Sequence, residues 1–241
     1  LNRIQKKRER SLFRIFQTEK SIKAAVYNVS SQDEIEERNI EFPQSSLLTK
    51  IREGIKRNPG REIKGEQSDS VSRAAVIALL REETKRGQIS LLFLKRKANP
   101  RDPWSGQISF PGGRSKPEDA NMLDTARREL LEETSIDLKE CYLFGQLDEL
   151  TPISRRSIRI TPFVALAKSQ MKVRLDDKEE IEAHFWVPFS YFLKERSETL
   201  ERVVVEGREL QVPAFRISRE YVIWGLTFRI INNLLTKIRS L

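Results

Sequence analysis

The hydrophobic period changes several times along the chain, and each change marks an element. Leu12, Ile15, Phe16 and Ile22 share one side of a short basic helix. From about Val26 to Phe42 no clean period survives, and this stretch, with Asp33-Glu34-Ile35-Glu36-Glu37 inside it, reads as a linker. Ser45 and Ser46 form an N-cap candidate ahead of Leu47, Leu48, Ile51 and Ile55, which follow helical spacing, and Asn58-Pro59-Gly60 stops that helix. From Ala74 the texture turns to strand. Ala74–Leu80 has a buried-strand pattern, and a charged loop ending at Gly87 leads to a second strand at Ile89–Leu94. Gln107–Phe110, Tyr142–Leu147, Ile158–Ala167 and Phe185–Val187 are further strand candidates, and Val203–Val205 and Leu210–Val212 flank Glu206-Gly207 as a hairpin. Helices are predicted at Met122–Thr134 and Tyr221–Ile238, where Val222, Leu226, Ile230, Leu234 and Ile238 recur every four residues. The expected class is α+β: a basic N-terminal extension with helical segments over residues 1–70 and a mixed domain over 71–241.

Composition narrows the chemistry. One cysteine in 241 residues excludes a disulfide framework and a cysteine-rich zinc site, and one histidine excludes a histidine-rich metal site. A metal here must therefore be held by carboxylates, carbonyls and water. The net charge of +9 is concentrated: residues 1–24 carry eight basic and two acidic side chains, a local +6, so the main domain is close to neutral. Such an arm can meet nucleic acid or an anionic membrane surface, or simply be a solvated extension. No apolar run approaches the ~20 residues of a membrane span, and the first ten residues lack the apolar core of a secretory signal. A cytoplasmic protein is expected, with organellar targeting left open.

Two local features gain meaning together. Phe110-Pro111-Gly112-Gly113 is followed, after a polar loop, by Arg128-Glu129-Leu130-Leu131-Glu132-Glu133. On a helix, Glu129, Glu132 and Glu133 project from one face, while Leu123, Ala126, Leu130 and Thr134 form a separate stripe suited to packing on a sheet. Three clustered carboxylates repel unless a cation lies among them, and Mg²⁺ or Mn²⁺ suits oxygen ligands and bridges to phosphates. Arg128 can brace Glu132 one turn on, and Gly112-Gly113 permits close backbone approach to a ligand.

The segment from Gly113 to Ile136 resembles the Nudix box, in which Arg-Glu-aliphatic-x-Glu-Glu-x-Gly-aliphatic follows a glycine and a loop acid. Arg128–Glu133 match position by position, and Ile136 fills the last aliphatic slot. The loop is one residue longer than the standard spacing, which makes Asp119 the candidate loop acid, and Ser135 stands where the box has glycine. A narrower resemblance, to the coenzyme A diphosphatase branch, runs over residues 72–238. It is carried by Leu92-Phe93-Leu94-Lys95-Arg96, Arg101, Gly106–Gly113, Phe185-Trp186-Val187-Pro188-Phe189 and Ile223-Trp224-Gly225-Leu226-Thr227. Leu94 and Lys97 depart from that branch's signature.

The resemblance implies an α/β/α sandwich with a mixed sheet and a hydrolase of nucleoside diphosphate derivatives that uses Mg²⁺ or Mn²⁺. Coenzyme A or an acyl derivative is the first substrate, giving 3′,5′-ADP and a phosphopantetheine product. ADP-ribose, dinucleotides or NADH are the alternative, and a noncatalytic or RNA-binding module is the reading of another class. Carried over as catalytic are Arg128, Glu129, Glu132 and Glu133. The metal ligands are Gly113, Glu129, Glu132 and Glu133, with Glu180 as a further candidate, and Glu179 or Glu180 are candidate bases. Arg96, Arg101, Gly112 and Gly113 are the substrate-binding candidates, since Arg forks match phosphates. Trp104 and His184 read as packing residues, Cys141 as a buried thiol, and a homodimer is a further expectation.

Overall fold

The computed structural model describes residues 45–63, 71–83, 87–99, 104–153, 157–175, 180–194, 197–205 and 207–239. The expected helix at Leu12–Ile22 and the linker after it lie outside the described residues. In chain order the elements are α1 (Ser46–Arg57), β1 (Ser72–Glu83), β2 (Gln88–Arg96), β3 (Ile108–Ser109), β4 (Gly112–Arg114), α2 (Met122–Thr134), a 3₁₀ turn (Leu138–Glu140), β5 (Tyr142–Gln146), β6 (Ile158–Ala167), β7 (Ile181–Pro188), α3 (Phe189–Phe192), β8 (Glu198–Val205), β9 (Arg208–Arg216), β10 (Val222–Trp224) and α4 (Gly225–Arg239).

A seven-stranded mixed sheet organises the fold. Its central pair is parallel, β1 with β6, from Ser72 beside Ile158 to Arg81 beside Ala167. The opposite side of β1 is shared: its first residues pair antiparallel with β4 and its last with β2. β7 continues beyond β2, and β5 beyond β6. Strand alternation sends successive side chains to opposite layers. Ala75, Ile77, Leu79, Leu92, Phe163 and Ala165 pack with Ala126 and Leu130 of α2. Ala78, Leu80, Leu91, Phe93, Val164 and Leu166 pack with Leu48, Ile51 and Ile55 of α1 and Ile231, Leu234 and Leu235 of α4. The result is the expected α/β/α sandwich.

α1 and the segment after it are built into this core. Gly54 lets α1 approach α4 closely, since a Cβ there would lie 2.5 Å from the Lys237 carbonyl oxygen. The chain then runs along the loop after β5: Gly60 N–H donates to the Gln146 carbonyl (3.1 Å), and Glu149 N–H to that of Arg61 (2.9 Å). Asp148 accepts from Arg61 N–H (3.0 Å), Asn233 Nδ2 (3.0 Å) and Lys237 Nζ (3.1 Å). The Ile63 N–H, Arg73 and Thr161 all donate to the buried Glu149 carboxylate. Residues 46–63, expected within the extension, thus share the core of the main domain, because three buried aliphatic side chains of α1 have their partners on α4.

One expected boundary moves. Helix was predicted from Tyr221, but Val222–Trp224 form a strand antiparallel to Ala214–Arg216, and the helix starts at Gly225, whose φ is +63°. β-Branched and aromatic residues favour a pleated surface, and the fourfold spacing of Val222 with Leu226 conceals the break. β8, β9 and β10 make a separate antiparallel sheet with the expected hairpin, Val205 opposite Arg208.

Candidate active site

α2 starts and stops on local signals. The Asn121 side chain caps it by accepting from Asp124 N–H (3.0 Å), and Ser135 ends it in the left-handed conformation (φ 56°), its N–H bonded to the Leu131 carbonyl. Ala126, Leu130 and Thr134 bury the stripe against the sheet. That orientation fixes Glu129, Glu132 and Glu133 on the side that faces β4 and the solvent.

Gly112 and Gly113 are what bring the backbone to these carboxylates. Gly112 sits at φ +150°, and a Cβ there would come within 2.6 Å of the Val76 Cα. At Gly113 a Cβ would lie 2.5 Å from the Glu129 Cδ and 2.6 Å from both its carboxylate oxygens, so a larger residue there would displace the Glu129 carboxylate from this position. The Gly112 N–H donates to Glu133 Oε2 at 2.9 Å.

Arg128 is the hub of the charges. Its Nε and Nη2 donate to the two oxygens of Asp119 (3.0 and 2.9 Å), its Nη1 to Glu129 (2.6 Å) and Glu132 (3.2 Å), and Nη2 also reaches the Arg114 carbonyl (2.9 Å). Lys116 Nζ adds a 3.4 Å contact to Glu132. Asp119 additionally accepts from Lys116 N–H and the Thr125 hydroxyl, and the Arg128 bonds hold it well below the usual carboxylate range. The loop acid is therefore a clamp on Arg128. Burial raises Glu129 against the pull of Arg128. Glu133, only 6% exposed, is pushed by burial up to about 8, with the charges of Glu129 and Glu180 adding to the shift and the Gly112 N–H and Arg96 opposing it.

The chain matches the NUDIX domain family over residues 71–206, more than half its length. It belongs to the Nudix family. Among its relatives are an uncharacterised Nudix hydrolase NudL of Photorhabdus laumondii, 32% identical over 150 residues covering 62% of this chain and 78% of that protein, and one of Yersinia pestis, 31% identical over 148 residues covering 61% and 72%. A MutT/nudix family protein from Enterococcus faecalis has been solved; it is 14% identical, with a TM-score of 0.49 over 83% of this chain and 71% of that one. Nudix enzymes hydrolyse pyrophosphate bonds in nucleoside diphosphate derivatives and generally need divalent metal ions.

The Nudix helix thus carries its three glutamates on one face as expected, but their oxygens are held by Arg128, Lys116 and the Gly112 N–H. Among the described residues, no three acidic, histidine or cysteine side chains meet around one point as metal ligands. Arg96, at the end of β2, pairs with Glu180 at 3.2 Å, and the Lys97 N–H donates to the Glu180 carbonyl at 2.8 Å. This holds Glu180, the residue just before β7, within electrostatic reach of Glu133. Arg101 and Glu179 lie outside the described residues. Trp104 packs on Ala74, Ile158 and Ile160. Cys141 is buried, its thiol pushed up to about 12 by that burial, which suits packing and not nucleophilic attack. Sequence reasoning overlooked Lys116 and Thr125, which stabilise Glu132 and Asp119; lying in a loop and on a buried helix position, they leave no periodic signal.

Proposed function

We propose that this chain is a Mg²⁺- or Mn²⁺-dependent Nudix diphosphatase whose substrate is coenzyme A or an acyl derivative, cleaved to 3′,5′-ADP and (acyl-)phosphopantetheine. The observation that carries the reading is the apposition of Glu129 and Glu133 to the Gly112-Gly113 backbone, an all-oxygen donor set beside a glycine whose missing side chain lets the Glu129 carboxylate lie against it. That set fits a hard divalent cation: the carboxylates of Glu129, Glu132 and Glu133 and the Gly113 carbonyl would hold it, with Glu180 close by. The bound ion would neutralise the diphosphate and make phosphorus more electrophilic.

The chain's own residues do the rest. Arg128, clamped by Asp119, fixes the directions of Glu129 and Glu132. Arg96, aligned by Glu180, stands where a guanidinium fork can take a phosphate oxygen. A water oxygen then adds to phosphorus while the bridging P–O bond breaks, and the released phosphate takes the proton through solvent or a neighbouring carboxylate.

A second reading, ADP-ribose, a dinucleotide or NADH as substrate, is favoured by one observation. Leu94, at a slot where the coenzyme A branch has a hydroxyl, is fully buried and so contributes packing instead of recognition. A panel of coenzyme A, acetyl-coenzyme A, ADP-ribose, a dinucleotide and NADH, assayed with Mg²⁺ and with Mn²⁺ and with products identified, decides between them. Coenzyme A should be cleaved best; no turnover of it beside good ADP-ribose turnover removes the first reading.

A further inference from the structure

α2 lies over β1 and β6 and also covers Leu92 of β2; beside it on the same face, alongside the fully buried Leu92 and Leu94, Arg96 at the end of β2 and the side chains of β7 form a strip running away from the glutamates. The strand register orders that strip. Arg96 pairs with Ile181, Leu94 with His184 and Leu92 with Trp186, after a bulge at Lys95/Arg96 that sends Glu182 to the other side, where it bonds Lys95. The side chains on the α2 side are therefore Arg96, His184 and Trp186, in that order. Leu94, the cross-strand neighbour of His184, is fully buried, whereas His184 itself is exposed. At the far end the Arg81 guanidinium lies 4.0 Å above the Trp186 ring and is tied to Glu83 at 2.7 Å. Its Nε is buried without an acceptor, so the guanidinium is oriented by the indole and Glu83.

The strip has a length and a chemistry. Four residues of β2 separate the Arg96 and Leu92 levels, about 13 Å of strand, comparable with the span of a nucleoside attached to a diphosphate. One end lies toward the reaction zone, where the charges of Arg96 and Glu180 are felt at Glu133. Of the described carboxylates of this segment, Glu180 is paired with Arg96 and Glu182 with Lys95. The side chain in the middle is the chain's one histidine. Partial desolvation and the Arg81 charge lower its pKa, which favours the neutral imidazole, a ring with one donor and one acceptor.

Resting on the diphosphatase reading, we infer that His184, backed by the Arg81–Trp186 stack, recognises the nucleoside half of the substrate, hydrogen-bonding a ribose hydroxyl or base edge while the diphosphate lies at Arg96 and the α2 carboxylates. A strand that reads as structural in sequence then sets specificity: its imidazole touches the part of the substrate that does not react.

Binding of ADP and of inorganic pyrophosphate, measured by titration calorimetry with Mg²⁺ on the full chain, tests this without reference to which natural substrate is turned over. Wild type should bind ADP more tightly than pyrophosphate. His184→Ala should weaken ADP by about 3- to 10-fold, the value of one lost hydrogen bond, and leave pyrophosphate unchanged. His184→Gln, which keeps a donor and an acceptor, should recover most of the loss. Trp186→Phe should abolish the change in indole fluorescence that ADP produces in wild type. Equal ADP affinity in wild type and His184→Ala, or an equal loss for both ligands, overturns the inference while leaving the diphosphatase reading standing. Wild type that binds neither ligand overturns both.

Discussion

Replacing Glu133 by glutamine separates a metal-binding helix from a merely charged one. The side chain keeps its size and can still accept from the Gly112 N–H, but loses its charge. In metal-free protein the wild-type carboxyl titrates at about 8 instead of its ordinary 4.5, so folding at neutral pH makes it take up a proton. That uptake costs up to about 3 kcal/mol at pH 7. The sign follows: the raised carboxyl is a penalty that is absent below the ordinary carboxylate range, grows as pH rises through it and levels off above the folded value. Glu133→Gln never carries it. Metal-free Glu133→Gln should therefore be more stable than wild type by about 1–3 kcal/mol near neutral pH, a rise in Tm of roughly 3–8 °C for a domain of this size. Near pH 4 the two should melt together. Turnover on the identified substrate should fall by ~10²-fold or more, and the rise in Tm that Mg²⁺ gives wild type should largely disappear. Calorimetric melts of both proteins across pH, with chelator and with Mg²⁺, alongside kcat, make the comparison. A variant that is less stable without metal, responds to Mg²⁺ like wild type and turns over at a near wild-type rate would refute the argument.

Gly113→Ala would place a methyl 2.5 Å from the Glu129 Cδ; activity should fall at least ~10-fold as Glu129 is displaced, and melting in Mg²⁺ should drop more than melting without it. Deleting residues 1–24 should leave turnover of a small substrate within a few-fold, because every site residue named above lies after residue 80, whereas a deletion through Arg57 removes Leu48, Ile51 and Ile55 from the core and should yield insoluble or unfolded protein by circular dichroism. Lys237→Met should cost about 1–3 kcal/mol in urea unfolding at neutral pH. Burial works to raise Asp148, but its bonds from Arg61, Asn233 and Lys237 leave it below the usual carboxylate range. Its contribution is thus present above the ordinary aspartate pKa and lost as pH falls, and the Lys237→Met deficit should shrink toward pH 3.

The parts of the fold written as side-chain periodicity were legible in the sequence. α2 and β6 fall at their expected residues because one has a clean apolar stripe and the other a run buried without a break from Ile160 to Ala167. β4 was hidden, since Gly112-Gly113 has no side chains to show a period and becomes a strand only by pairing with Ala75 and Val76. β10 was absorbed into a helical spacing that continues through it by coincidence. The inclusion of α1 in the core depends on Lys237 and its neighbours, far along the chain, and no local pattern encodes that distance. At the site, the shared face of Glu129, Glu132 and Glu133 followed from helical geometry alone. Their unequal burial did not, and neither did the use of Asp119 to clamp Arg128, because both depend on how closely β4 and the loop approach the helix.

The most direct test of the central claim is to run the reaction in water enriched in heavy oxygen, with Mg²⁺ and the best substrate of the panel, and to locate the label by mass spectrometry. A Nudix diphosphatase predicts two phosphate monoesters, one of them carrying a single labelled oxygen on phosphorus, and labelling slower by ~10²-fold or more in Glu133→Gln. Label on a carbon atom of either product, or the absence of cleavage at the diphosphate of every compound tried, would contradict it.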